Sequence, residues 1–176
     1  MTRMAEIERR IFACMGEARG EFSLALLDIP DNITAPIIGE ANFRRYCLPL
    51  YKELVALARR PGTCVAVHAD GDLRPLWRAI GESGINALDS FSPPPDNDTT
   101  AAEAVAQWPE MRLLVNFPSS VHLAEDRGVY AKAMEILQQA GHSRRLWIQI
   151  SENVPKDAWR RSFPAIIRAL RDFGTP

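Results

Sequence analysis

Long runs of any one kind are missing from this chain. No block of like charge exceeds two residues, and 21 basic side chains nearly balance 22 acidic ones. A nucleic-acid or anionic-membrane partner usually leaves a basic stripe, so neither partner is expected. No apolar stretch approaches the ~20 residues that a membrane-spanning helix needs. Residues 1–16 carry charges throughout, where a secretory signal peptide would have an apolar centre. They read instead as an amphipathic helix with Ile7, Ile11 and Met15 on one side. Cysteine is scarce too: Cys14, Cys47 and Cys64 are odd in number and share no disulfide or zinc spacing. That pattern suits reduced thiols packed in a core, and a cytoplasmic protein. Apolar residues make up 47% of the 176, enough for one buried core, so a single domain over 1–176 is expected.

What the chain does have is a regular alternation of helical and extended patterns. Phe22-Ser-Leu-Ala-Leu-Leu-Asp28 reads as a strand, followed by a loop through Pro30, Asp31 and Asn32. Phe43, Tyr46, Cys47, Leu50, Leu54 and Leu57 recur at helical spacing, with Pro49 expected to bend that helix or to lie near its start. Cys64 to His68 is the next strand, and Leu73 to Ser83 the helix after it, stopped by Gly84. Strands follow at Ile85–Phe91, Met111–Phe117 and Arg145–Ile150. Helices are expected at Ala101–Trp108, where Thr100 and Glu103 have capping-box spacing, at Glu125–Ala140, and from Trp159 to Leu170 with Pro164 as an interruption. About five strand–helix repeats of this kind describe a parallel α/β protein.

The stretch Val65-Ala-Val-His-Ala-Asp-Gly-Asp-Leu73 is the most informative. Side chains i and i+2 share a face of a strand, so His68 and Asp70 point one way and Val65 and Val67 the other. Gly71 allows a tight turn, and Asp72 is placed to cap the following helix. Other polar residues also gather after strands: Asp28, Asp31 and Asn32; Asp89 and Ser90; Asn116 and Ser119; Ser151, Glu152 and Asn153. Such asymmetry marks the active face of a barrel, and an open doubly wound sheet would show it at its switch point.

Each candidate has a plainer reading. A lone His at a strand end is more often hydrogen-bonded than ligating, and Asp31 and Asn32 are ordinary turn formers. Asp89 and Ser90 could contact substrate, and Asn116 could orient a substrate carboxylate or cap a turn. Strand parity places Glu152 with Ile148 and Ile150, opposite Trp147 and Gln149, but parity lapses once the strand ends, so Ser151 or Asn153 could be the inward residue instead. His122 and His142 have surface-like surroundings, and neither is expected to be catalytic. Trp77, Trp147 and Trp159 sit at periodic positions that suit a core.

The run His68-Ala-Asp-Gly-Asp-Leu73, continued by Leu76, Ile80 and Glu82-Ser-Gly-Ile-Asn-Ala-Leu88, resembles the uroporphyrinogen decarboxylase superfamily. Asp31-Asn32, Ile38-Gly-Glu-Ala-Asn-Phe43, Pro49-Leu-Tyr-Lys52, Val115-Asn-Phe-Pro118 and Ser151-Glu-Asn-Val-Pro155 add to the likeness. That superfamily also holds zinc-dependent methyltransferases that serve corrinoid proteins and coenzyme M. The resemblance implies a partial (β/α)8 TIM barrel made of about five C-terminal units, a complete one taking on the order of 250 residues. In the methyltransferase branch a His-x-Cys pair and a later Cys bind zinc. Here the matching positions are His68, Asp70 and, on or beside it, Glu152, a harder set that suits zinc, iron or manganese.

The functions implied are accordingly three. One is metal-dependent methyl transfer to or from a corrinoid or thiol, with a corrinoid protein as partner, His68 and Asp70 catalytic, and His68, Asp70 and Glu152 as ligands. Another is cofactor-free decarboxylation of a carboxylated tetrapyrrole; on either reading Asp31, Asn32, Asp89, Ser90 and Asn116 are the candidates to contact substrate. The last is a non-catalytic truncated or split half-barrel that needs a partner, or a homo-oligomer, to cover its open sheet edges.

Overall fold

A parallel sheet grows here in one direction, each new strand adding beside the last. In the computed structural model, which describes residues 2–17, 25–58, 63–150 and 154–174, the strands are β1 (Leu26–Asn32), β2 (Cys64–His68), β3 (Ala87–Phe91), β4 (Arg112–Asn116) and β5 (Leu146–Gln149). Their spatial order is β1-β2-β3-β4-β5 and every pairing is parallel. The helices are α1 (Thr2–Glu17), α2 (Ala35–Asn42), α3 (Leu48–Leu57), α4 (Trp77–Glu82), α5 (Ala101–Gln107), α6 (Asp126–Ala140) and α7 (Trp159–Phe173). A doubly wound sheet reverses its order at a switch point. This order never reverses, which is how the wall of a (β/α) barrel is built.

Alternation along the strands gives the sheet two unlike faces. Leu27, Ile29, Val65, Val67, Leu88, Leu113 and Val115 lie under the helices in one continuous core with Tyr51, Leu54, Ile80, Ile136 and Ile166. Each such side chain contributes about 1.5–3 kcal/mol when buried, so this face fixes the register. The opposite face carries only a small cluster of Cys64, Ala66, Ala87 and Leu114, with Leu26 packed against it. Trp147 belongs to this second face by alternation and is 61% exposed, not in the core as its periodicity suggests. Trp159, also expected in the core, is exposed on α7, while Trp77 is half-buried against the core.

Several local features differ from the sequence reading for physical reasons. β1 begins at Leu26 and runs on through Pro30, Asp31 and Asn32, with an irregularity between Ile29 and Asn32 in its pairing to β2. Residues 22–24 of the expected strand lie outside the described residues. Within this sheet β1 pairs on one side only, and an edge strand tolerates a proline that cannot donate to a ladder. Asp72 does not cap the helix after it. The carboxylate of Asp98 does so from a later loop, accepting from Leu73 N at 3.0 Å and Arg74 N at 3.1 Å. The capping box at α5 is present, with Thr100 N donating to Glu103 Oε2 at 2.9 Å and Glu103 N donating to Thr100 Oγ1 at 3.1 Å. Pro49 lies in the first turn of α3, after a π-helical turn at Phe43–Cys47. α7 passes through Pro164 without ending. Cys47 and Cys64 are buried, whereas Cys14 is exposed and so is not a core thiol. Among the described residues no helix is long and apolar enough to cross a membrane.

The loops after β1 and β2 are bound to each other. Ile33 N donates to His68 O at 3.0 Å and Ala35 N to Asp72 O at 2.7 Å. A Cβ at Gly71 would overlap the side chain of Thr34. Gly71→Ala is therefore expected to destabilise the protein by about 1–3 kcal/mol. Thr34→Gly in the same chain should recover most of that loss, as read from urea unfolding midpoints.

Candidate functional site

The β2–β3 register sets His68 opposite Asp89, and their side chains meet, His68 Nδ1 lying 3.2 Å from Asp89 Oδ2. Gln149, near the end of β5, donates from Nε2 to Asp89 Oδ1 at 3.0 Å. Ser90 Oγ donates to Asp89 Oδ2 at 3.1 Å and accepts from Gln149 Nε2 at 3.3 Å. Neighbouring residues of a regular strand face opposite ways, yet Asp89 and Ser90 reach the same cluster. The cause is a left-handed backbone at Ser90, φ +52°, where the β3–β4 register shifts. Strain of this kind persists only where surrounding contacts hold it, and it gathers at functional sites. Ion pairs as exposed as His68–Asp89 contribute about 1 kcal/mol or less, so the effect of this one is to aim the imidazole.

Asp28 completes the group from β1. Burial raises its pKa to about 6, the charge of Asp89 adds to the rise, and His68 opposes it. Asp28, Pro30, Asp31, Asn32 and His68 line an open cavity of about 310 Å³. Asp31 and Asn32, the expected substrate contacts, border the cavity, and Asp31 Oδ2 accepts from Tyr51 OH at 2.9 Å. Asn116 is buried behind the cluster, its Nδ2 donating to Ser92 Oγ at 3.3 Å, and Ser92 Oγ donates to Ser90 O at 3.2 Å. It supports the Ser90 turn.

Asp70 is held differently from His68, by Asn97 Nδ2 at 3.4 Å from the loop before α5. Glu152, with Ser151 and Asn153, lies outside the described residues. Among the described residues no group of three His, Cys, Asp or Glu side chains could hold a metal ion. The expected trio of His68, Asp70 and Glu152 includes one residue that lies outside that set.

Some side chains are not where the sequence suggested. His122 is buried rather than surface-like, with Nδ1 2.8 Å from Ser162 Oγ and its ring against Phe117. Burial lowers its pKa, which favours the neutral ring, and the charge of Asp96 partly opposes this. Burial pushes the Cys47 thiol up to about 11, which leaves it unreactive near neutral pH. Asp28 and Gln149 were not singled out as site residues. The available signals were an acid closing the apolar run of β1, and a strand alternation that sets Gln149 opposite Ile148 and Ile150.

Residues 23–163 match the model of the family described as "Uroporphyrinogen decarboxylase (URO-D)". No curated protein gives a significant match. Among solved structures, a "methyltransferase from Methanosarcina mazei" superposes with a TM-score of 0.70 over 96% of this chain and 47% of that one, at 16% identity. At that identity the likeness speaks for the fold alone, and this chain spans about half of the matched protein.

The Asp28 carboxyl should titrate near pH 6 by NMR, and Asp89→Asn should lower that midpoint by removing a charge that raises it. A carboxyl whose folded pKa is raised contributes stability at low pH that is lost as pH climbs from about 4 to 6. Asp28→Asn lacks that loss, so its stability relative to wild type should improve across this window in urea melts taken at successive pH values.

Proposed function

Because the chain belongs to the uroporphyrinogen decarboxylase family, we propose that Asp28, His68 and Asp89 form a proton-transfer site acting on a carboxylated, pyrrole-type substrate. The observation that carries this reading is a carboxyl with a pKa of about 6 beside an oriented imidazole, both facing one open cavity. General acids work best with a pKa near the operating pH, and a carboxyl raised to about 6 is protonated often enough to serve. In such a decarboxylation a protonated ring draws in the electron pair of the breaking C–CO₂ bond. The carbon that lost CO₂ is then protonated, and the ring gives up the proton it had gained, so that one proton is consumed for each CO₂ released. Asp28, or His68 through its Asp89-oriented ring, supplies that proton, while the Asp89 carboxylate stabilises the positive charge on the ring. Asn32, at the cavity's edge, is placed to bind a substrate carboxylate through its amide.

A second reading has its own observation. A metal-bound histidine usually gives its other ring nitrogen to a carboxylate, and Asp89 holds His68 Nδ1 in that manner. Metal-dependent methyl transfer, with a corrinoid protein as partner, would use His68 and Asp70 together with Glu152 as a third ligand. A bound metal would supply a deprotonated thiol nucleophile.

The two readings separate in one set of measurements on the purified protein. The first expects CO₂ release from uroporphyrinogen that survives EDTA and falls roughly 10²–10⁴-fold in Asp28→Asn and His68→Gln, the usual contribution of a positioned acid or base. The second expects a stoichiometric metal that is lost in His68→Ala and Asp70→Ala. Metal-free protein with no decarboxylation would remove both.

A further inference from the structure

On the helix side of β1, between α1 and the start of α3, lies a second cavity of about 420 Å³ that the proposed chemistry does not use. Its apolar wall includes Met4 and Leu50, and its acidic groups include Glu8 and Asp31. Glu8 is 6% exposed, and among the described residues no hydrogen-bond donor reaches its carboxyl. Buried charges are ordinarily paired, since a lone one costs several kcal/mol. Burial first, and the nearby Asp31 charge second, hold the Glu8 carboxyl above its usual range. Arg9 also lines the cavity, where its charge partly opposes the rise at Glu8, but its guanidinium is paired with Glu53 at 2.8 Å; Arg45 stacks on the Tyr46 ring at 5.1 Å.

We propose that this cavity binds a small primary ammonium compound with a short apolar body, its nitrogen at the Glu8 and Asp31 carboxylates and its chain against Met4 and Leu50. A hard divalent cation is the poorer match. Calcium takes about six to eight oxygens and magnesium demands octahedral geometry, whereas this wall is largely apolar and the described residues offer no trio of ligands. An alkylammonium needs only a few acceptors and gains from apolar burial of its chain. Glu8, Asp31 and Glu53 outnumber Arg9 in the lining, which disfavours an anion.

The test is a titration of the full chain with n-butylammonium chloride, followed by amide NMR, with sodium butyrate and magnesium chloride as controls. A saturable shift confined to α1, to Asp31 and its neighbours in β1, and to residues 43–50 is expected for butylammonium and not for the controls. Glu8→Gln, which keeps the side chain's shape, should weaken binding about tenfold or more, as loss of a charge-assisted hydrogen bond does. Leu50→Trp, narrowing the cavity from the opposite wall, should weaken binding while leaving Glu8 in place, and covers the case in which Glu8→Gln fails to fold. The proposal is overturned by non-saturable shifts, by equal binding in either folded variant, or by magnesium or butyrate producing the same shifts.

Discussion

The polar cluster depends on the register of β2 against β3, which is set on the other side of the sheet. Val67 pairs with Leu88, and both are fully buried under the helices. The next register position in the same pairing is His68 with Asp89. A slip of β2 by one residue would turn Val67 out to the open face and carry His68 into an apolar core, and a slip of β3 would do the same to Leu88 and Asp89. The cost would be several kcal/mol from lost burial alone, before the desolvation of a carboxylate is added. Packing that never touches the site therefore holds the imidazole and the carboxylate in place.

Parallel pairing in chain order does the rest. All five strands end on the same side, so Asp28, His68, Asp89 and Gln149 come together although up to 121 positions separate them. Below them, on the same face, Cys64, Ala66 and Ala87 are small, so the sheet offers a floor with room above it. Ser90 adds a device that no regular strand supplies. Its left-handed turn lets two consecutive residues serve one cluster, and Asn116 and Ser92 brace that turn from behind.

The repeat pattern, the bounds of β2 and the capping box of α5 were legible because each rests on residues near in sequence. What was not legible rests on distant ones. The helix after β2 is capped by Asp98, 25 positions beyond Leu73, and nothing near Asp72 announces that. His122 looks like a surface residue until Ser162, 40 positions away, closes over it. Pro30 reads as a loop former unless β1 is known to pair on one side only. His68 and Asp89 were each visible as strand-end polar residues, but their pairing needed the register. Trp147 misled because periodicity tells that a residue alternates, not whether anything covers the face it alternates onto.

The proposed proton transfer and the alternative metal chemistry draw on the same electrostatics. Asp28 and Asp89 stand close enough that the charge of Asp89 raises the pKa of Asp28, which His68 opposes while Asp89 aims its ring. Two carboxylates on a partly desolvated face favour one positive charge among them. A proton on Asp28 meets that demand, as would a cation coordinated nearby. What distinguishes these states is the number of additional oxygen or nitrogen donors that converge on the same point. The described residues supply an acid, an oriented imidazole and hydrogen-bond donors from Ser90 and Gln149, which is a set that stabilises a carboxylate and moves a proton. That balance of donors over additional ligands is why proton transfer is the stronger reading.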